Sequence, residues 1–91
     1  MKNLTKHRVA TAMQRAAQAK SYFPIFDGVN LLRHIEKIGN EIRVMADLCG
    51  VSPREIAGIN FWAAVDDELQ AQGVDAWTEN ENDSVVWVRL C

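Results

Sequence analysis

The residue types that could do chemistry are few in this chain, and their spacing does not assemble them. His7 and His34 stand alone, with no cysteine or carboxylate at a metal-ligand spacing from either. Asp66, Asp67 and Glu68 are consecutive, so on a helix they point different ways and do not converge on one cation. Cys49 and Cys91 lack the CxxC or Cys/His pattern of a zinc site. No Ser, Cys or Lys has a recognisable base beside it, and no Gly-rich phosphate loop occurs. The expectation is a chain without catalytic residues, metal or cofactor. Buried Cys49 and frayed Cys91 are the simpler reading of the thiols, which fits a reducing cytoplasm.

Charge carries more information. The net charge is −2, but it is unevenly distributed. The first twenty residues hold Lys2, Lys6, Arg8, Arg15 and Lys20 and no acid. Residues 61–91 hold Asp66, Asp67, Glu68, Asp75, Glu79, Glu81 and Asp83 against Arg89 alone. Such asymmetry bears on association and solubility rather than on fold. The basic segment could be a nucleic-acid footprint, although a solvated helix face paired with the acidic third accounts for it more simply. The acidic third could be a solubilising surface, or a patch that docks a basic protein and speeds encounter.

Ninety-one residues, 48% of them hydrophobic, suit one globular domain spanning 1–91. A domain of this size is marginally stable, and a homodimer could relieve that. No apolar run approaches the ~18 residues of a membrane span, and the basic N-terminus is not followed by a signal-peptide core. The expectation is a cytoplasmic protein with no membrane partner.

The elements that must position these residues read as mainly helical. A helix over 5–20 puts Val9, Met13, Ala16 and Ala17 on one side. Tyr22-Phe23-Pro24-Ile25-Phe26 breaks it and supplies aromatics to the core, and Asp27 can cap the next helix. Leu31, Leu32, Ile35, Ile38, Ile42, Met45, Ala46 and Cys49 recur at three and four, which predicts helices over 29–39 and 41–49, or one kinked helix across Gly39-Asn40. Ser52-Pro53-Arg54-Glu55 is a capping box for a helix over 53–72, with Ile56, Ile59, Trp62, Ala63, Val65 and Leu69 apolar. Two β-prone runs around Glu79–Asp83 predict a hairpin over 74–90. The sum is a three- to four-helix domain with a small C-terminal hairpin, and no internal repeat is visible.

Ala46, Gly50-Val51-Ser52 and Ile56 resemble the helix-turn-helix family, in which a small residue, a left-handed glycine and a β-branched residue stand at these spacings. With the hairpin, residues 41–90 look like a winged helix. The resemblance implies a DNA-binding transcriptional regulator using Arg54 and Asn60, joined by Lys6, Arg8 and Arg15. The acidic hairpin opposes it, because a DNA binder draws its affinity from neutralised phosphates. The preferred expectation is a small regulatory or inhibitory protein that binds a protein partner with a basic surface. Asp66, Asp67, Glu68, Asp75, Glu79, Glu81 and Asp83 would form the acidic patch, and Phe61, Trp62 and Trp77 the apolar contacts.

Overall fold

Thr5 starts the first helix, α1 (Lys6–Ala19), by accepting the Arg8 backbone N–H on its Oγ1 at 3.2 Å. Val9, Ala10, Ala12, Met13, Ala16 and Ala17 are its buried face. Alanine at four of those positions lets the second helix approach closely. The computed structural model describes residues 2–21, 26, 28–54 and 56–91, with the backbone alone at 56 and 57. The roles expected of Tyr22, Phe23, Pro24, Ile25, Asp27 and Glu55, and the Ile56 side chain, lie outside the described residues.

The mainly helical expectation is corrected between residues 29 and 49. The two helices expected over 29–39 and 41–49 do not form. A short 3-10 turn at Leu31–His34 leads into β1 (Ile35–Ile38) and β2 (Glu41–Met45), an antiparallel hairpin. Gly39 adopts φ +61 between them, as a tight two-residue hairpin turn demands. A helix would have kept Gly39 in its interior at a cost of about 1 kcal/mol. Ile42 and Val44 then alternate inward with Glu41, Arg43 and Met45 outward, a period of two.

The second helix, α2 (Ile56–Ala71), and the hairpin β3 (Ala76–Asn80) and β4 (Val85–Leu90) form where the sequence places them, within a few residues at each end. The hairpin does not stand as an appendage. β4 pairs with β2 from Ile42↔Val88 to Met45↔Val85, giving one antiparallel four-stranded sheet in the order β1-β2-β4-β3. The chain is thus two successive helix–strand–strand units, α1-β1-β2 and α2-β3-β4, joined through their second strands. The Ala46–Ile56 segment joins a strand to a helix.

Both helices cover one face of the sheet. Phe61, Met13, Ile42, Leu69, Val9, Val44, Val65, Val86 and Val88 are fully buried there, each aliphatic or aromatic side chain contributing about 1.5–3 kcal/mol on burial. A turn over 46–51 buries Ala46, Cys49 and Val51. It is closed by Val51 N–H donating to the Ala46 carbonyl at 3.0 Å and by Trp62 Nε1–H donating to the Val51 carbonyl at 3.0 Å. Both chain ends are pinned to the α2–β3 connector. Lys2 N–H donates to the Gly73 carbonyl and Cys91 N–H to the Asp75 carbonyl, each at 3.0 Å.

Gly58 lets the residue 52–53 backbone lie directly on the first turn of α2. A Cβ there would collide with the Ser52 carbonyl oxygen and sit 3.3 Å from the Pro53 Cα. Because the obstruction is backbone, Gly58→Ala is expected to destabilise by about 3 kcal/mol, the upper end of overpacking penalties. Thermal and denaturant unfolding by circular dichroism would check this.

Candidate interaction surface

The face of the sheet away from the helices carries a connected set of ion pairs and a cation–π contact. Directly opposed residues of antiparallel strands point to the same side, so the pairing register lays that face out in rows across β1, β2, β4 and β3. One row reads Ile38, Glu41, Arg89, Trp77, and the next Glu36, Arg43, Trp87, Glu79. Met45 and Val85 follow on the inner strands. Arg43 pairs with Glu36, and Arg89 pairs with both Glu41 and Glu79. The Arg89 guanidinium also lies 5.3 Å from the Trp87 ring centre, within cation–π range. Trp77 and Ile38 are exposed at 39% and 43%.

The acidic residues expected to form one patch have different roles. Asp66 accepts the Thr78 backbone N–H at 2.8 Å, and Gln70 Nε2 donates to the Ala76 carbonyl at 3.1 Å. Two side chains of α2 thereby cap outward backbone groups of β3, an edge strand that would otherwise template pairing. Glu79 belongs to the Arg89 ion pairs. Asp83 lies 3.7 Å from the exposed Arg54, and its carbonyl accepts the Ser52 hydroxyl. Asp67 and Glu81 are exposed and enter no ion pair among the described residues. Glu68 and Asp75 are half-buried. The Asp66 contact sets its turn of α2 beside β3.

Of the expected apolar contacts, only Trp77 is exposed. Phe61 and Trp62 are 0% and 3% exposed, stacked edge-on at 5.1 Å in the core, and offer nothing to a partner. Their side of α2 meets both α1 and the sheet, whereas Ile59 and Ala63, expected on the same apolar face, are exposed.

The residues named for DNA binding are scattered. Arg54 precedes α2 and Asn60 is exposed in its first half. Arg8 lies at the other end of that helix, where Gln72 Nε2 donates to its carbonyl at 3.0 Å. The Arg8 guanidinium donates to the Asn3 carbonyl, Lys6 is half-buried and Arg15 is exposed on α1.

Other features offer little chemistry. A shallow cleft of about 250 Å³ lies between α1 and residues 29–32, with His7, Gln14 and Asn30 on its walls. Among the described residues no three His, Cys, Asp or Glu side chains could hold a metal ion. Burial pushes the Cys49 thiol up to about 11, with Asp47 adding to the shift, which leaves it an inert core group. Cys91 is exposed, and neither cysteine is in a disulfide.

Sequence reasoning missed Glu36, Glu41, Arg43, Trp87 and Arg89. The alternation Glu-Ile-Arg-Val-Met over 41–45 could have revealed the outward Arg43, but nothing local announces that Glu41 meets Arg89. Comparison with protein-family models, curated proteins and solved structures finds no match for this chain. No described helix is long and apolar enough to cross a membrane.

Burial raises the Asp66 pKa above its ordinary value, against the opposing hydrogen bond from Thr78, and Asp67 adds to the rise. An acid raised in the folded state binds its proton more tightly there, so its stability contribution falls as pH rises from the ordinary carboxylate range through the raised value. Asp66→Asn keeps the acceptor for Thr78 and removes the charge. Its melting temperature is expected to exceed the parent's at neutral pH and to converge with it below about pH 3.5. Asp66→Ala leaves the Thr78 N–H without its partner, a loss of about 1–3 kcal/mol at acid pH that removal of the charge partly offsets at neutral pH. Melting curves of both variants across pH check the two signs.

Proposed function

We propose that this chain is a small non-enzymatic regulatory or inhibitory module that binds a protein partner with a basic surface, using the acidic flank formed by α2 and the β3–β4 hairpin. The observation that carries the reading is the Asp66–Thr78 hydrogen bond, which holds the acidic turn of α2 alongside β3. Acids from two sequence segments thereby act from one side. Asp67 and Glu81 supply the charge no cation of this chain neutralises among the described residues. Such a flank steers a cationic partner into encounter and disfavours anionic ones.

The same flank works against a nucleic-acid reading. Its acids would repel phosphates beside Arg54, a cation near the hairpin tip that already lies next to Asp83.

The test is charge reversal at these two exposed acids. Tagged parent chain and Asp67→Lys/Glu81→Lys are compared for capture of proteins from the source cell, with circular dichroism monitoring the fold. Both residues are exposed, so the fold is expected to survive while partner affinity drops at least ~10-fold and weakens with salt. Partners held equally well by the reversed variant sink the reading. Duplex DNA binding that Arg54→Ala abolishes would also overturn it.

A further inference from the structure

The outer sheet face and the acidic flank have different chemistry. On the face, Glu36, Glu41 and Glu79 are offset by Arg43 and Arg89, all joined in ion pairs. The face is close to neutral, and two copies of it repel one another little. It also holds Trp77, Trp87, Met45 and Ile38, and Trp, Met and Arg are the residues that protein interfaces favour. No described helix covers it.

We propose that this face joins two copies of the chain in a two-fold homodimer, sheet against sheet, with the axis running along the strands between β2 and β4. This goes beyond the acidic-flank reading and does not depend on it. Such an axis faces β1 with β3 of the second copy and β2 with β4, and it keeps each row opposite itself. Ile38 then meets the second copy's Trp77, Glu41 meets Arg89, and Arg43 meets Trp87. Each contact occurs twice, and each is apolar, oppositely charged or cation–π. The single mismatch, Glu36 opposite Glu79, falls at the rim, where each already pairs with an arginine of its own copy.

Aligned sheets pack about 10 Å apart with their strands rotated by about 30°, which preserves the central contacts and loosens the corners. Four strands ~4.8 Å apart and about five residues long give a projected patch of about 300 Å² per copy. The area covered on both copies is then about 600 Å², the size of a weak, transient contact, so the dimer is expected to dissociate at roughly 100 µM. It is a four-layer helix–sheet–sheet–helix assembly with an acidic flank at each side.

Sedimentation velocity from about 10 to 300 µM should show the parent chain passing from monomer to dimer. Glu41→Arg sets arginine against arginine across the interface, and Arg89→Glu sets glutamate against glutamate. Each variant alone should dimerise at least ~100-fold more weakly. Mixed together they should restore a heterodimer, because each copy again meets opposite charge. Trp77→Glu, at an exposed position, should be monomeric with an unchanged circular dichroism spectrum, and it serves if either charge variant unfolds. A parent chain monomeric throughout overturns the proposal, whether another partner covers the face or none does. So does a dimer that survives Trp77→Glu, or a mixture of folded charge variants that stays monomeric.

Discussion

The ladder between β2 and β4 is the constraint on which the rest depends. Each helix–strand–strand unit offers one helix and a two-stranded hairpin, and a lone hairpin is unstable in water. Pairing Ile42 with Val88 and Val44 with Val86 fuses the hairpins into one sheet broad enough for both helices. The same pairing sets every outward row, since a slip of one residue in either strand would turn its own outward residue, Arg43 or Trp87, into the core and expose Val44 or Val86. The ion pair of Glu41 with Arg89 crosses this junction and holds the same register from the solvent side.

Fusing the hairpins inward leaves β1 and β3 as edges, which the chain treats differently. β3 is tied to the adjacent helix through Asp66 and Gln70, so α2 serves both as a core element and as an edge cover. β1 is short, at four residues, and bears Glu36 and Lys37, charges that discourage edge pairing. The half-buried position of Asp66 follows from this duty. Its charge costs stability by desolvation, but its oxygen satisfies a backbone donor that no strand can reach.

Legibility of the fold in the sequence followed the locality of its determinants. Thr5 at the start of α1, Gly73 after α2 and the β-branched runs of β3 and β4 act over a few residues, and those elements stand where expected. The segment from 29 to 49 misled because Ile35, Ile38, Ile42 and Met45 fit a helical spacing while belonging to both faces of a hairpin. Val44, out of step with the helical pattern, and Gly39-Asn40 at its centre were the contrary signs. Among the candidate site residues, exposed Trp77, Asp67 and Glu81 were legible as surface groups. Phe61 and Trp62 were not legible as core, because their side of α2 meets two packing partners that only the tertiary fold supplies. The opposed Arg and Glu residues of the sheet face lie too far apart in sequence to announce themselves.

Lys2 and Cys91 hydrogen-bond to carbonyls only two residues apart, at Gly73 and Asp75. The backbone path is therefore nearly a closed ring, with its two ends brought to one junction between α2 and β3. Any segment joined before Lys2 or after Cys91 must leave the body from that single port. A short bridge between the ends could close the ring, and a new opening could then be cut at the exposed Gly39-Asn40 turn without disturbing the central ladder.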